Sequence, residues 1–208
     1  MLLLVDKAGP AMGVDDRLED MIQEHPRAIT RQKIHQLGSR IIRIARFDKD
    51  TFSELKDDRG ATGQAVAVLL LVGLSYGLGY SIFTGLQTSS LSPNQLISGT
   101  IANMIFTDFA AFIWSATVFL VGTKLFQGKT GFWELARPLF FSAAPGLLFI
   151  LIAIPIRPII IATTIIASAW IVSAEFVALK SAMGFNTQRA LLTSVVGLLA
   201  LIFIQMTI

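Results

Sequence analysis

The chain has 208 residues, 53% of them hydrophobic and only 15% charged, with a mean hydropathy of +0.66; soluble domains carry roughly 25% charged residues. Residues 1–61 hold 22 of the 31 charged side chains, which leaves nine for residues 62–208. A soluble surface for that second stretch is excluded. The absence of cysteine also excludes disulfides, thiolate metal sites and cysteine nucleophiles. The expected fold class is all-α: a polytopic membrane protein with a polar head over 1–61 and a transmembrane domain over 62–208.

The head is built in charge blocks. Residues 1–24 carry six acids and two bases, 25–47 carry six bases and no acid, and 48–61 carry five acids and three bases. Met1 to Val5 is apolar, but Asp6 and Lys7 cut it short of a signal peptide, so the first span is expected to direct its own insertion. Residues 1–14 show no periodicity. The basic block does. At 100° per residue, Ile34, Leu37, Ile41, Ile42, Ile44 and Ala45 fall within an arc of about 160°. Lys33, His35, Arg40, Arg43 and Arg46 take the opposite arc, and Arg31 begins the stretch. An amphipathic helix over about 31–47 follows, its aliphatic face set against lipid with bases at anionic head groups, or against protein. Amphipathicity does not distinguish the two. Nucleic acid is not an expected partner, because acidic blocks flank the bases and no aromatic platform interleaves them. Thr51-Phe52-Ser53-Glu54 fits a capping box, predicting a short helix to about Asp58 with Phe52 and Leu55 facing the bilayer.

A membrane span needs about 20 mostly apolar residues. No charge occurs in the 48 residues between Arg59 and Asp108, and the polar stretch Gln87–Gln95 divides them. Spans are expected over about 63–85, 98–122, 137–155, 158–179 and 190–208. Pro155-Ile156-Arg157-Pro158 reads as a tight turn, and Gly184 with Asn186 or Thr187 as a helix stop and a new N-cap. Alternating the five spans puts 16 Lys and Arg on one side and one on the other. By the positive-inside rule the N-terminus is cytoplasmic and the C-terminus external, in a multi-pass plasma-membrane protein.

Polar groups inside spans are the candidate functional residues, because a charge in hydrocarbon is costly. Asp108 lies within the second span with Asn103 and Thr107 as local partners, and is expected either as a hydrogen-bonded structural group or as a proton or ion site. Glu175 lies near the cytoplasmic end of the fourth, positioned to anchor towards Lys180 or the basic cytoplasmic loops. Their depths keep them from pairing. Gly73 and Gly77, with Gly79 beyond, give the spacing at which helices approach closely, within the chain or between copies. Pro145 is expected to kink the third span. His25 and His35 fit no zinc spacing, and no phosphate loop, GxSxG or carboxylate pair occurs. Catalytic residues, metal ligands and cofactors are therefore all expected to be none.

Two stretches resemble the Yip family (Ypt/Rab-interacting protein domain), in its prokaryotic form. One is Phe47 to Leu55, followed by Asp58 and Ala61 to Ala65. The other runs through Gly122, Lys124, Phe126, Gly128 and Lys129 to Phe132, Arg137, Ser142, Ala144 and Pro145. Trp170, Ala178 to Lys180, Gly184 and Arg189-Ala190 are similar to the family's later spans. The resemblance, over about residues 45–208, implies five spans, a cytoplasmic N-terminus and a small non-catalytic helper of membranes. The Rab-binding role of eukaryotic relatives is not carried over, since their Asp-Leu-x-Gly-Pro motif has no counterpart here. The expected function is a scaffold or accessory subunit whose partners are the bilayer and other membrane subunits. Alternatives are a small transporter using Asp108, and a membrane-shaping protein binding anionic lipid.

Overall fold

The N-terminal signals that the sequence offers for α2 compete, and a carboxylate wins. The computed structural model describes residues 33–89 and 91–207, so Arg31 and the non-periodic N-terminal stretch lie outside the described residues. Helix α1 spans 33–45 and crosses between two units, Met1–Ser39 and Arg40–Ile208. In the first, Ser39 Oγ donates to the Gln36 carbonyl. In the second, the chain leaves α1 through Phe47, whose φ of 58° is left-handed. The Phe47 N–H donates to Ile44 O and the Asp48 N–H to Arg43 O, the two bonds of a Schellman cap. Asp48 then starts α2 (Lys49–Asp57) by accepting the Asp50 amide.

The expected cap at Thr51 is therefore displaced by three residues. Thr51 donates its hydroxyl to Asp48 Oδ2 and sits inside the helix. Phe52 and Leu55 do not face lipid either. Both are fully buried in the protein, as is Ile44, because α2 packs on α5 and α6.

A 3-10 turn, Arg59–Ala61, leads into α3 (Thr62–Gln87). Ser92 caps α4 (Pro93–Lys124), whose 32 residues extend about 48 Å and so exceed a hydrocarbon layer of about 30 Å. α6 (Arg157–Met183) ends at Gly184, in the left-handed conformation with φ 66°. Asn186 Oδ1 accepts the Arg189 amide to open α7 (Thr187–Thr207).

The third apolar stretch departs most from expectation. It begins at Phe132, not near 137, as α5 (Phe132–Ser142), and tolerates Pro138 inside it. It does not kink at Pro145 and continue. A 3-10 segment, Ala144–Ala153, replaces the α-helix. Pro145 supplies no N–H for an α-type bond, and the Gly146 amide instead donates to Ala143 O at 2.7 Å.

Four helical stretches among the described residues are long and apolar enough to cross a membrane: Arg59–Gln87, Pro93–Lys124, Phe132–Ala153 and Arg157–Met183. α7 follows them. The stretch Phe132–Ala153 is the most enclosed, flanked by α2, α3, α4 and α6. No strand occurs among the described residues.

Glycines set the closest approaches. Gly73 and Gly77 share one face of α3 and meet α4: a Cβ at Gly73 would strike the Asp108 carboxyl, and one at Gly77 the Thr100 carbonyl oxygen. Gly79, turned about 200° away, meets the Phe149 carbonyl of the 3-10 segment. The small-residue spacing is thus used within the chain, with α3 backed by neighbours on both sides. Gly77→Ala must push backbone against backbone, a cost of about 1–3 kcal/mol. Gly63, with nothing within 4 Å of its would-be Cβ, tolerates the same change. Thermal denaturation in mild detergent should show a lower Tm for Gly77→Ala only; equal Tm values would refute this packing.

Candidate functional site

Two arginines of the basic block, Arg40 and Arg43, fold onto acids of the block that follows it. Arg40 donates through Nη2 to Glu54 Oε1 at 2.7 Å and Asp58 Oδ2 at 2.6 Å, and through Nη1 to Gln64 Oε1 at 2.7 Å. Arg43 donates to Asp48 Oδ2 at 2.7 Å and to Glu54 Oε2 at 3.1 Å. Two of the bases expected at a lipid or partner surface are therefore engaged by the chain's own acids. Lys33, Ile34 and Arg46 are exposed and Leu37 and Ile41 half-buried. Ile42 is 54% exposed while Ile44 is fully buried, so the aliphatic face is divided between protein and surroundings.

These pairs shift titration. Arg43, with help from the Thr51 hydroxyl, holds the Asp48 carboxyl below its ordinary 3.8. Arg40 does the same for Asp58, against the opposing effect of burial. For Arg40 itself burial acts downward, and the bonds to Glu54 and Asp58 outweigh it and raise the guanidinium. The folded head thus binds fewer protons than the unfolded one, and stability rises with pH across that range. The contribution is complete above about pH 5 and is lost as pH falls through the unfolded value and then the depressed ones. Amide exchange over 40–58, relative to α3, should accelerate between about pH 5 and about pH 3. Arg40→Gln should flatten that dependence, and an unchanged pH profile would count against the network.

Arg137 joins the head to the membrane domain. Only 4% exposed, it donates through Nη1 to the carbonyls of Leu55 at 3.0 Å and Lys56 at 2.7 Å. Both belong to the last turn of α2, where carbonyls lack intrahelical partners and the helix dipole is negative. A second tie comes from α6, where Trp170 Nε1 donates to the Ala45 carbonyl at 2.9 Å. Arg137→Met leaves the buried Leu55 carbonyl without this donor, at about 1–3 kcal/mol. Exchange of α2 amides should then rise roughly ten- to a hundred-fold, with α3 unchanged; equal protection in both proteins would remove the clamp.

The two intramembrane acids lie on different sides of α4. Asp108 faces Gly73 of α3, and its Oδ1 is buried without a hydrogen bond among the described residues. Asn103 does not serve it, donating instead to Gly99 O at 2.8 Å. Glu175 accepts from Trp114 Nε1 at 3.1 Å, while Lys180 donates to Thr187 Oγ1 at 3.0 Å. Glu175 is thus not an anchor reaching for Lys180. Asp108 and Trp114 are six residues apart, about 9 Å along α4 and about 240° around it, so the two acids sit at separate contacts.

The loop after α4 closes on itself: the Gly128 amide donates to Gly122 O at 2.9 Å, with Gln127 at φ 58°. A Cβ at Gly122 would strike the Met183 sulfur, and one at Gly128 lies 2.9 Å from Phe185. The two glycines form a pad for the turn between α6 and α7, with Lys124 exposed and Phe126 half-buried beside it. No cluster of three His, Cys, Asp or Glu occurs among the described residues.

Trp114 and Trp170 carry contacts that periodicity did not single out; a lone indole in an apolar run was the available signal, since its N–H needs an acceptor. A groove of about 930 Å³ lies beside Trp114 and Glu175, between α6 and α7.

The family model described as the Yip1 domain matches residues 43–208. No curated protein and no solved structure matches the chain.

Proposed function

The chain belongs to the Yip1 domain family, and from that premise we propose that it is a non-catalytic scaffold or accessory subunit of a plasma-membrane complex. It spans the membrane five times, with the head cytoplasmic and the C-terminus outside. α7 supplies the fifth crossing, and the fivefold count is what places 16 of 17 Lys and Arg on one side.

The observation that carries the reading is how the membrane domain uses its polar groups. Arg137 holds the carbonyls of α2, Asp108 lies against Gly73 and Glu175 accepts from Trp114. Each serves a separate contact between elements. General acid–base work needs titratable groups that converge on one reacting atom, and these three diverge. What they support is a head fixed in place on a bundle, which is what a docking platform needs. Pairing of Arg40 and Arg43 with Glu54, Asp48 and Asp58 also weighs against a head that works chiefly by attracting anionic lipid.

Single-cysteine versions test both parts, since the chain has no cysteine of its own. An impermeant thiol reagent added to intact cells should label Ser92→Cys and spare Lys129→Cys. Cross-linking from the exposed head positions Ile34→Cys and Arg46→Cys in native membranes, followed by mild detergent extraction, should retain a second membrane protein. Labelling of Lys129→Cys from outside would overturn the topology. A chain that stays uncross-linked and monomeric would overturn the subunit role.

A further inference from the structure

We propose that the groove between α6 and α7 is a binding site for a long-chain primary amine, with the ammonium held by Glu175 and the hydrocarbon lying along the two helices. The groove, about 930 Å³, is lined by Glu175, Ser173 and Phe176 of α6, by Ser194 and Leu198 of α7, and by Trp114 of α4. Its volume stands at the upper end of single-ligand sites, about 300–1,000 Å³. Leu198 is 53% and Val172 64% exposed, so it opens sideways onto hydrocarbon, the route by which an amphiphile enters.

The polar lining selects the head group. Ser173 donates its hydroxyl proton to Ala169 O at 2.7 Å, and Ser194 donates its own to Ala190 O at 3.1 Å. Each hydroxyl thereby keeps lone pairs and has no proton left to give. The indole N–H of Trp114 is directed at Glu175 Oε2, and Glu175 Oε1 has no hydrogen bond among the described residues. The groove therefore presents acceptors with their donors already committed. A ligand with several donors and no acceptor complements it, and an ammonium has three N–H groups and a charge. A carboxylate in apolar surroundings is costly unless paired, so a cation is the partner that lets Glu175 ionise. An alcohol brings one donor and no charge. A fatty acid or a phosphate brings further acceptors to a site already full of them.

The head junction contributes a wall. Phe47 lines the same groove, held there by the bonds that close α1, Phe47 N–H to Ile44 O and Asp48 N–H to Arg43 O.

The test uses the full chain in mild detergent with hexadecylamine as probe and hexadecanol and palmitate as controls, read by thermal shift and by native mass spectrometry. Hexadecylamine should be retained and should raise the Tm, with both controls at least ten-fold weaker. Glu175→Gln should weaken the amine at least ten-fold and leave hexadecanol unchanged. Leu198→Trp, which fills the groove and leaves the acid in place, should exclude all three probes. Equal binding of amine and alcohol, or full amine affinity in Glu175→Gln, would overturn the proposal. So would a cross-link from Leu198→Cys to a lysine-bearing helix of another subunit in native membranes. Amine binding does not depend on a partner protein, so its failure leaves the scaffold reading standing, and the reverse also holds.

Discussion

Arg137 is the residue on which the arrangement of head and bundle depends. A helix that ends against a membrane domain leaves carbonyls that neither water nor lipid can satisfy. One guanidinium nitrogen, from a position more than 80 residues along the chain, supplies donors to two of them. With α2 fixed, Phe52 and Leu55 become core and Glu54 and Asp58 are presented to Arg40. Asp48 is in turn held where it both caps α2 and engages Arg43. The ion pairs of Arg40 and Arg43 close around that point.

The same demand for satisfied backbone groups explains the short α5. Where Pro145 withholds an N–H, a 3-10 segment carries the chain onward, and the enclosing helices α3 and α6 support it. Gly79 allows α3 to lie against the Phe149 carbonyl, while Gly73 and Gly77 bring its other face to α4. α3 is therefore held by backbone proximity on two sides. Asp108 lies in one of these contacts and Glu175 outside both, beside a groove that opens to lipid.

The bundle was legible because hydrophobic runs near 20 residues have few alternatives in a membrane protein, and punctuation at Ser92, Pro155–Pro158 and Gly184 is local chemistry. Gly73 and Gly77 were readable for the same reason. The head was less so. Its periodicity over 31–47 marked an amphipathic helix, but a basic arc facing solvent and one facing an acidic neighbour have the same pattern. Thr51 to Glu54 satisfied a capping rule that Asp48, three residues earlier, satisfied better by also engaging Arg43. The depth of Glu175 suggested an anchor towards Lys180 or the basic loops, whereas its hydrogen-bond partner is the Trp114 indole on another helix.

What the sequence determined by itself was therefore set by local rules: an all-helical membrane domain, its breaks, its charge asymmetry and the resemblance that the Yip1 match over residues 43–208 bears out. Tertiary structure alone decided which polar group meets which. The hydrogen-bond partners of Arg137, Trp170 and Glu175 lie 82, 125 and 61 residues away, and separation along the chain carries no information about such contacts. The charge imbalance at residue 61 marked a boundary between polar head and apolar bundle. Folding makes it a joint, because Arg137, two long helices beyond that boundary, reaches back to the carbonyls of α2.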